Sequence, residues 1–212
     1  MGSRKTLICG WGVNDVDYVT EKKFYIDGKP KRLWQCPYFT DWKDMIWRCY
    51  NTKFHNNYPT YKDCTVCEEW RYLSNFIKWV DSQPNKDWQN CSLDKDILIH
   101  GNKIYSPDTC VYITKKLNSF LVSRTSARGS LMIGVELSPK NNNTRYFVAR
   151  CKNPFTGKKE YLGTFMTELE AHLAWKAKKH EHACRWAELQ KDERVSDRLK
   201  SMYSINTDLT QL

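Results

Sequence analysis

The chain has 212 residues, with 34 Lys and Arg against 24 Asp and Glu, which gives a formal net charge of +10. Its 41% hydrophobic and 14% aromatic residues supply enough apolar surface to fold, which excludes a disordered chain. The length allows one large domain or two small ones, and two are favoured. The positive charge favours a polyanionic partner such as nucleic acid, because binding releases counterions.

The sequence predicts a cytoplasmic protein with no membrane partner. No run approaches the about 18 apolar residues that a membrane span requires, and the basic N-terminal residues lead into no apolar signal segment. Nine cysteines then suggest reduced thiols or a metal site rather than a disulfide framework. Cys64 and Cys67 have the spacing of half a structural zinc site, which Cys9 and Cys36 would complete. Packing as small buried hydrophobes is the alternative.

The first 122 residues are predicted to form one domain. Residues 1–40 carry turn signals such as Asp27-Gly28, which predict loops and short strands. Apolar residues at helical spacing predict helices at 42–51 and 68–82. Two short strands, 93–100 and 103–113, are then expected to turn at Gly101-Asn102, and a helix is expected to begin after Thr114.

The rest of the chain is predicted to form a second domain, at 131–212, after a basic linker at 123–130. Three strands are expected, at 132–138, 145–152 and 159–165. Thr167, with Glu170 three residues later, predicts a capping box and a helix that runs to about residue 190. A last helix is expected at 192–202. The predicted fold class is therefore α+β.

Four short motifs follow one another in the second domain. They are Gly134-Val135-Glu136, Tyr146-Phe147-Val148-Ala149-Arg150, Tyr161-Leu162-Gly163-Thr164-Phe165, and Glu170-Ala171 followed by Ala174-Trp175. In this order they resemble the plant-type APETALA2, or ethylene-response-factor-like, DNA-binding domain. The resemblance implies a three-stranded antiparallel sheet that packs on a helix and contacts double-stranded DNA in the major groove.

Strand alternation predicts which side chains face the DNA. Phe147, Ala149 and Cys151 share the side expected to pack on the helix, which leaves Arg150 and Lys152 on the open side. The resemblance places the DNA contacts on Glu136, Ser138, Arg150, Lys152, Lys159 and Tyr161. Further candidate contacts are Arg145, at the start of the second strand, and Arg124 and Arg128, which the linker would lay along a phosphate backbone.

Two of these positions depart from the plant pattern. Glu136 stands where the plant domains carry Arg, and Tyr161 stands where they carry Trp. The base preference of the plant domains therefore does not carry over to this chain.

The segment 93–120 resembles the metal-binding unit of HNH endonucleases, which occurs in phage homing enzymes. In that family a first-strand Asp-His pair supplies a metal ligand and a general base, and a helix Asn or His completes the metal site. Here the pair is Asp94-Lys95 and the helix residue is Asn118. The resemblance implies that Asp94 and Asn118 bind Mg²⁺ or Mn²⁺ through oxygen, and that the ion polarises a scissile phosphate.

Lysine replaces the histidine that the HNH family uses as its base. A lysine amine accepts a proton near pH 7 only when burial and neighbouring cations lower its pKa strongly. If the unit is a variant nuclease, Asp96, Asp108 or His100 would be the alternative base. If the unit is instead a scaffold that no longer cleaves DNA, Lys95 would only bind phosphate.

The N-terminal domain resembles, over nearly its whole length, small phage proteins of the homing-endonuclease type that carry a C-terminal APETALA2-like domain. The shared landmarks are Cys9-Gly10-Trp11-Gly12, Cys36-Pro37, Arg48-Cys49-Tyr50, Tyr61-Lys62-Asp63-Cys64, Leu93-Asp94-Lys95-Asp96-Ile97-Leu98 and Tyr105-Ser106-Pro107-Asp108-Thr109-Cys110.

Three functions follow as hypotheses. The first is a metal-dependent, site-directed DNA endonuclease or nickase. The second is a DNA-binding regulator or host-takeover factor that keeps the scaffold without cleavage. The third is a protein-binding inhibitor of a host enzyme, for which the chain offers only its many Trp and Tyr residues.

Overall fold

The structure, a computed structural model, describes residues 7–122, 130–138 and 146–204. Its contacts divide the chain into two compact units, Met1–Thr114 and Lys115–Leu212. The helix after Thr114, predicted as part of the first domain, therefore groups with the second unit. Of the predicted linker, residues 123–129 lie outside the described residues. Within the described ranges, no helix is long and apolar enough to cross a membrane.

The first unit alternates short strands with helices. Its elements are β1 (Glu21–Ile26), β2 (Lys29–Gln35), α1 (Pro37–Tyr50), α2 (Thr52–Asn57), β3 (Thr65–Val66), α3 (Leu73–Ser82), β4 (Cys91–Asp94), β5 (Ile104–Tyr105) and β6 (Val111–Thr114). Short 3₁₀ turns lie at Pro59–Tyr61, Glu68–Arg71 and Trp88–Asn90. The strands form three two-stranded sheets, β1-β2, β3-β5 and β4-β6.

The core of this unit lies between α1 and α3. The buried residues of each helix recur at helical spacing, which places them on one side. Trp42 is fully buried, and its indole nitrogen donates to the carbonyl of Trp70 over 2.7 Å. Both helices were predicted. α1 begins at Pro37 rather than at Trp42, because proline is favoured in the first helical turn.

The prediction of two strands joined by a tight hairpin at Gly101-Asn102 is wrong. β4 ends at Asp94 and pairs antiparallel with β6, from Asp94 opposite Val111 to Cys91 opposite Thr114. β5 pairs parallel with β3. Between Asp94 and Ile104 the chain forms a loop, here called the β4 loop (residues 94–104), which side-chain bonds to the backbone hold together.

The second unit consists of α4 (Lys115–Leu121), β7 (Val135–Leu137), β8 (Phe147–Lys152), β9 (Lys159–Phe165), α5 (Glu168–Ala187) and α6 (Glu193–Ser201). The antiparallel sheet has the order β7-β8-β9 and packs on α5. Both bonds of the predicted Thr167 and Glu170 capping box are present. The mixed α+β class is confirmed.

Small residues allow α5 to lie close to the sheet. Ala149 on β8 and Ala171 on α5 are fully buried, and together with Val135 they form the centre of the core between sheet and helix. Gly134 has a φ of +82°, and a Cβ added there would lie 2.0 Å from Cγ of Trp175. Glycine is therefore required by both the backbone conformation and the packing of the tryptophan.

Candidate nucleic-acid interface

The side of the sheet that faces away from α5 carries most of the predicted DNA contacts. Cross-strand partners share a side, and the register pairs Arg150 with Tyr161 and Lys152 with Lys159. Glu136 lies opposite Val148 of β8 and therefore on this same side. We call these predicted contacts the basic face; it consists of Glu136, Arg150, Lys152, Lys159 and Tyr161.

A β-bulge in β9 sets the composition of the basic face. The register shifts between Ala149 and Arg150, so that Gly163 lies opposite Ala149 and Tyr161 lies opposite Arg150. The extra residue, Leu162, packs with the core on the helix side. Tyr161 is consequently on the open side, where its hydroxyl lies 2.8 Å from the hydroxyl of Thr164.

Glu136 holds two cations of the basic face together. Its carboxylate oxygens lie 3.2 Å from Nε of Arg150 and 3.1 Å from Nζ of Lys159. The guanidinium of Arg150 also lies 5.5 Å from the ring centroid of Tyr161. The side chains of Arg150 and Lys159 remain 40% and 68% exposed. A positively charged side of the sheet is thus presented to solvent, with two of its cations held by Glu136.

The remaining predicted DNA contacts have other positions. Ser138 lies just beyond β7, where its backbone N–H donates to the carbonyl of Tyr146 and its hydroxyl accepts from the N–H of Tyr146. Its hydroxyl therefore helps to close the end of the strand pair. Arg124, Arg128 and Arg145 lie outside the described residues.

The carboxylate of Asp94 closes the start of the β4 loop. Its Oδ1 accepts from the backbone N–H groups of Asp96 and Ile97, each over 2.8 Å. Burial raises the pKa of the Asp94 carboxyl, and the two N–H donors oppose this rise. Such a side-chain-to-backbone turn fixes the chain locally. One oxygen of the predicted metal ligand is therefore already engaged in structure.

Lys95 is buried and holds the two ends of the β4 loop together. Its Nζ donates over 2.7 Å both to the carboxylate of Asp96 and to the carbonyl of Asn102. The side-chain amide of Asn102 donates back to the carbonyl of Lys95 over 2.8 Å and to that of Ile104 over 2.7 Å. The amine that stands in the place of a catalytic base is thus a structural cross-link.

The other predicted residues of the nuclease site differ in location and exposure. Asn118 lies on α4, in the second unit, and is half-buried. His100 and Asp108, the alternative bases, are both exposed. Within the described ranges, no three His, Cys, Asp or Glu side chains form a group that could hold a metal ion. The Mg²⁺ or Mn²⁺ site that was expected at Asp94 and Asn118 stays a prediction.

The cysteines of the predicted zinc site pack with apolar residues instead. Cys36 and Cys64 are buried in the core of the first unit, and Cys9 and Cys67 pack against it. Burial raises the pKa of the Cys9, Cys64 and Cys67 thiols, which favours the protonated form over the thiolate that binds zinc. This arrangement gives the zinc prediction no support and agrees with the alternative of small buried hydrophobes.

Sequence reasoning missed a lysine in the second unit. Nζ of Lys179, on α5, donates to the carbonyl of Phe120 over 2.6 Å and lies 3.5 Å from the centre of the Phe120 ring. Burial lowers the pKa of Lys179 to about 8. With Lys116 and Lys152 it lines a cleft of about 490 Å³. The only sequence signal was a cation on the inner side of an alanine-rich helix, a pattern that solvent-exposed lysines also produce.

Comparisons of this chain with protein-family models, with curated proteins and with solved structures found no match. The resemblances to APETALA2-like and HNH domains therefore rest on the sequence motifs alone. What they imply about function is a proposal.

Proposed function

We propose that the chain is a double-stranded-DNA-binding protein that contacts the major groove with its basic face. The observation that carries the proposal is the grouping of Arg150 and Lys159 around Glu136, beside Lys152, on one exposed side of the sheet. The ion pairs with Glu136 already restrict Arg150 and Lys159, so these two side chains lose less rotamer entropy when they bind phosphate or guanine edges.

The groups on the basic face are those that distinguish base pairs. An arginine donates to both acceptors of guanine in the major groove, and a glutamate accepts from the amino group of cytosine. Arg150 and Glu136, which lie in contact, would therefore suit a site that contains G·C pairs. Replacement of the arginine of the plant domains by Glu136 predicts a sequence preference different from theirs.

The test is fluorescence anisotropy of the full chain with a labelled random-sequence duplex at several salt concentrations. We expect the double variant Arg150→Ala/Lys152→Ala to bind at least tenfold more weakly, with a salt slope lower by about 0.9 for each phosphate that the variant no longer neutralises. Lys200→Ala is the matched control, because this lysine is exposed on α6 and pairs only locally with Asp197. An unchanged affinity and salt slope in the double variant would refute the proposal.

We further propose that the first unit supports DNA binding without cleaving DNA. The bonds that Asp94 and Lys95 make within the β4 loop favour the DNA-binding regulator over the nuclease, because they engage both residues in holding the loop together. Supercoiled plasmid incubated with the chain and Mg²⁺ or Mn²⁺ should remain supercoiled. Nicking or linearisation that both Asp94→Ala and Asn118→Ala abolish would instead establish the endonuclease or nickase.

A further inference from the structure

The β1-β2 hairpin projects from the first unit with both of its faces in solvent. Every residue from 22 to 34 is exposed. Asp27 and Gly28 have φ values of +49° and +71°, as expected for the tight turn that suits the twist of a two-residue hairpin. The base of the hairpin is fixed, because the N–H of Cys36 donates to the carbonyl of Thr20 over 2.9 Å. The hairpin is therefore an arm with an anchored base.

The two faces of this arm differ in chemistry. On one face Glu21 binds Lys23 over 2.6 Å and Arg32 over 3.4 Å, so that these charges are partly neutralised. On the other face the register sets a lysine opposite an apolar side chain three times in succession. These pairs are Lys22 with Trp34, Phe24 with Lys31, and Ile26 with Lys29. We call this second side the aromatic-lysine face.

The apolar side chains of the aromatic-lysine face are not covered by the first unit. Phe24, Ile26 and Trp34 are 43%, 49% and 44% exposed, and none of them belongs to the core of that unit or packs against it. An isolated two-stranded hairpin is only marginally stable in water, and side chains that stay almost half-exposed gain only part of the free energy of apolar burial. Their exposure indicates a binding surface.

The charge of the arm identifies the kind of partner. Residues 21–35 contain five basic and two acidic residues, a net charge of +3 (5 − 2), and no carboxylate lies among the three pairs of the aromatic-lysine face. A partner that matches alternating lysines and flat apolar groups has regular negative charges and exposed aromatic rings. Single-stranded nucleic acid has both, whereas a duplex hides the faces of its bases in the stack.

We propose that the aromatic-lysine face binds single-stranded nucleic acid, with Phe24 and Trp34 stacking on unpaired bases and Lys22, Lys29 and Lys31 contacting the phosphates. This site is separate from the basic face and is independent of the duplex binding proposed for it. A chain with both sites would bind duplex DNA at one surface and an unpaired strand at another.

The test measures binding of the full chain to a fluorescently labelled oligo(dT) 12-mer by anisotropy. We expect Phe24→Leu/Trp34→Leu to bind at least tenfold more weakly, since stacking of unpaired bases on aromatic side chains supplies much of the affinity for a single strand. Tyr25→Leu is the matched control: it removes a 70%-exposed aromatic residue from the opposite face and should change affinity less than twofold. Lys22→Gln/Lys31→Gln should lower the salt slope by about 0.7 for each phosphate that the variant no longer neutralises.

Leucine keeps the apolar character of the hairpin, and the substituted positions lie outside the core, so the melting temperature should not change. Arg150→Ala/Lys152→Ala should leave oligo(dT) binding intact, which separates this proposal from that for the basic face. Absence of oligo(dT) binding, or an equally large decrease in the Tyr25→Leu control, would overturn the proposal. If Phe24→Leu/Trp34→Leu lowers the affinity for a blunt duplex as much as that for oligo(dT), the face binds duplex DNA. If this variant has a lower sedimentation coefficient than wild type in the absence of DNA, the face serves self-association. Either result overturns the proposal.

Discussion

The basic face and the β4 loop contain similar charged residues but use them differently. On the basic face, Glu136 binds Arg150 and Lys159 side chain to side chain, and all three remain exposed. In the β4 loop, Asp94 and Lys95 bind backbone groups of the same loop, and Lys95 is only 6% exposed. Exposed ion pairs contribute little to stability, whereas a buried charge bonded to the backbone is costly to remove.

This difference shows how a charged residue can be assigned to binding or to folding. A salt bridge on an exposed sheet is exchanged for a ligand at small cost, so its members are available to DNA. A lysine that closes a loop is not available unless the loop opens. Variants of the two regions can test this distinction. The largest effects are expected where the fold depends on the residue, and the smallest where only one charge changes.

The largest effect is expected at Gly134, which supports the sheet under the basic face. In Gly134→Ala the new Cβ would overlap Trp175, and the left-handed backbone adds strain, which together should lower the free energy of unfolding by about 4 kcal/mol. Gly101→Ala in the β4 loop is the control. Its φ of +73° is similar, but nothing lies within 4 Å of the added Cβ, so a decrease of about 1 kcal/mol is expected. Urea unfolding followed by circular dichroism measures both, and equal decreases would contradict the packing argument.

Lys95→Met is expected to loosen the β4 loop. The carbonyl of Asn102 loses its charged donor, and the free energy of unfolding should fall by about 3 kcal/mol. Amides of residues 94–104 should then exchange faster with deuterium. Asp96→Asn removes only the exposed partner of Lys95 and should cost less than about 1 kcal/mol. A Lys95→Met chain with full loop protection would show that this lysine is free for another role.

Glu136→Gln should strengthen binding to a random-sequence duplex. The change releases Arg150 and Lys159 and removes a carboxylate that repels phosphate, so affinity should rise by about three- to tenfold at low salt. The free energy of unfolding should change by less than about 0.5 kcal/mol. Glu193→Gln on α6 removes an equal charge from an exposed helix start and serves as the control. Weaker binding by Glu136→Gln would mean that the glutamate itself makes a favourable contact with DNA.

The smallest effect is expected for Asp94→Asn and depends on pH. Burial raises the pKa of the Asp94 carboxyl, which means that folding favours the protonated form of this group relative to the unfolded chain. The resulting stability is present below the unfolded pKa and is lost as the pH rises through the folded pKa. Asparagine stays neutral and keeps the acceptor for the two N–H groups. The variant should therefore be more stable than wild type at about pH 7, by less than about 1 kcal/mol, and this advantage should vanish near pH 3.

Thermal unfolding of wild type and Asp94→Asn across this range measures the difference. Asp94→Ala, which removes the acceptor, should be less stable than wild type at every pH. A difference between wild type and Asp94→Asn that does not vary with pH would contradict the role of burial.

Local sequence signals predicted the second unit well. Alternation along β8 placed Ala149 and Cys151 in the core, and the capping box placed the start of α5. These features depend on neighbours within a few residues. The β4 loop was predicted poorly, because β5 pairs with β3, from a distant part of the chain, over only two residues. A two-residue strand leaves no periodic pattern to detect.

Lys95 illustrates a second limit of sequence reasoning. Its position beside Asp94 suggested chemistry, and only the location of the Asn102 carbonyl identifies it as a cross-link. The bond between Lys179 and Phe120 was missed for the same reason, since it joins two helices that are far apart in sequence. Bonds between a side chain and a distant backbone group have no signature in the residues themselves.

The bulge at Leu162 adds one residue to β9 without a break in its pairing with β8. Side chains of a strand alternate between the two sides, so the parity of β9 changes at this extra residue. Deletion of Leu162 would make Tyr161 and Gly163 neighbours, and they would pair with Arg150 and Ala149 in regular alternation. Tyr161 and Lys159 would then stay on the open side, whereas the local twist that a bulge adds and the apolar contact of Leu162 would be lost. We therefore expect a chain without Leu162 to keep the residues of its basic face on a sheet of different curvature.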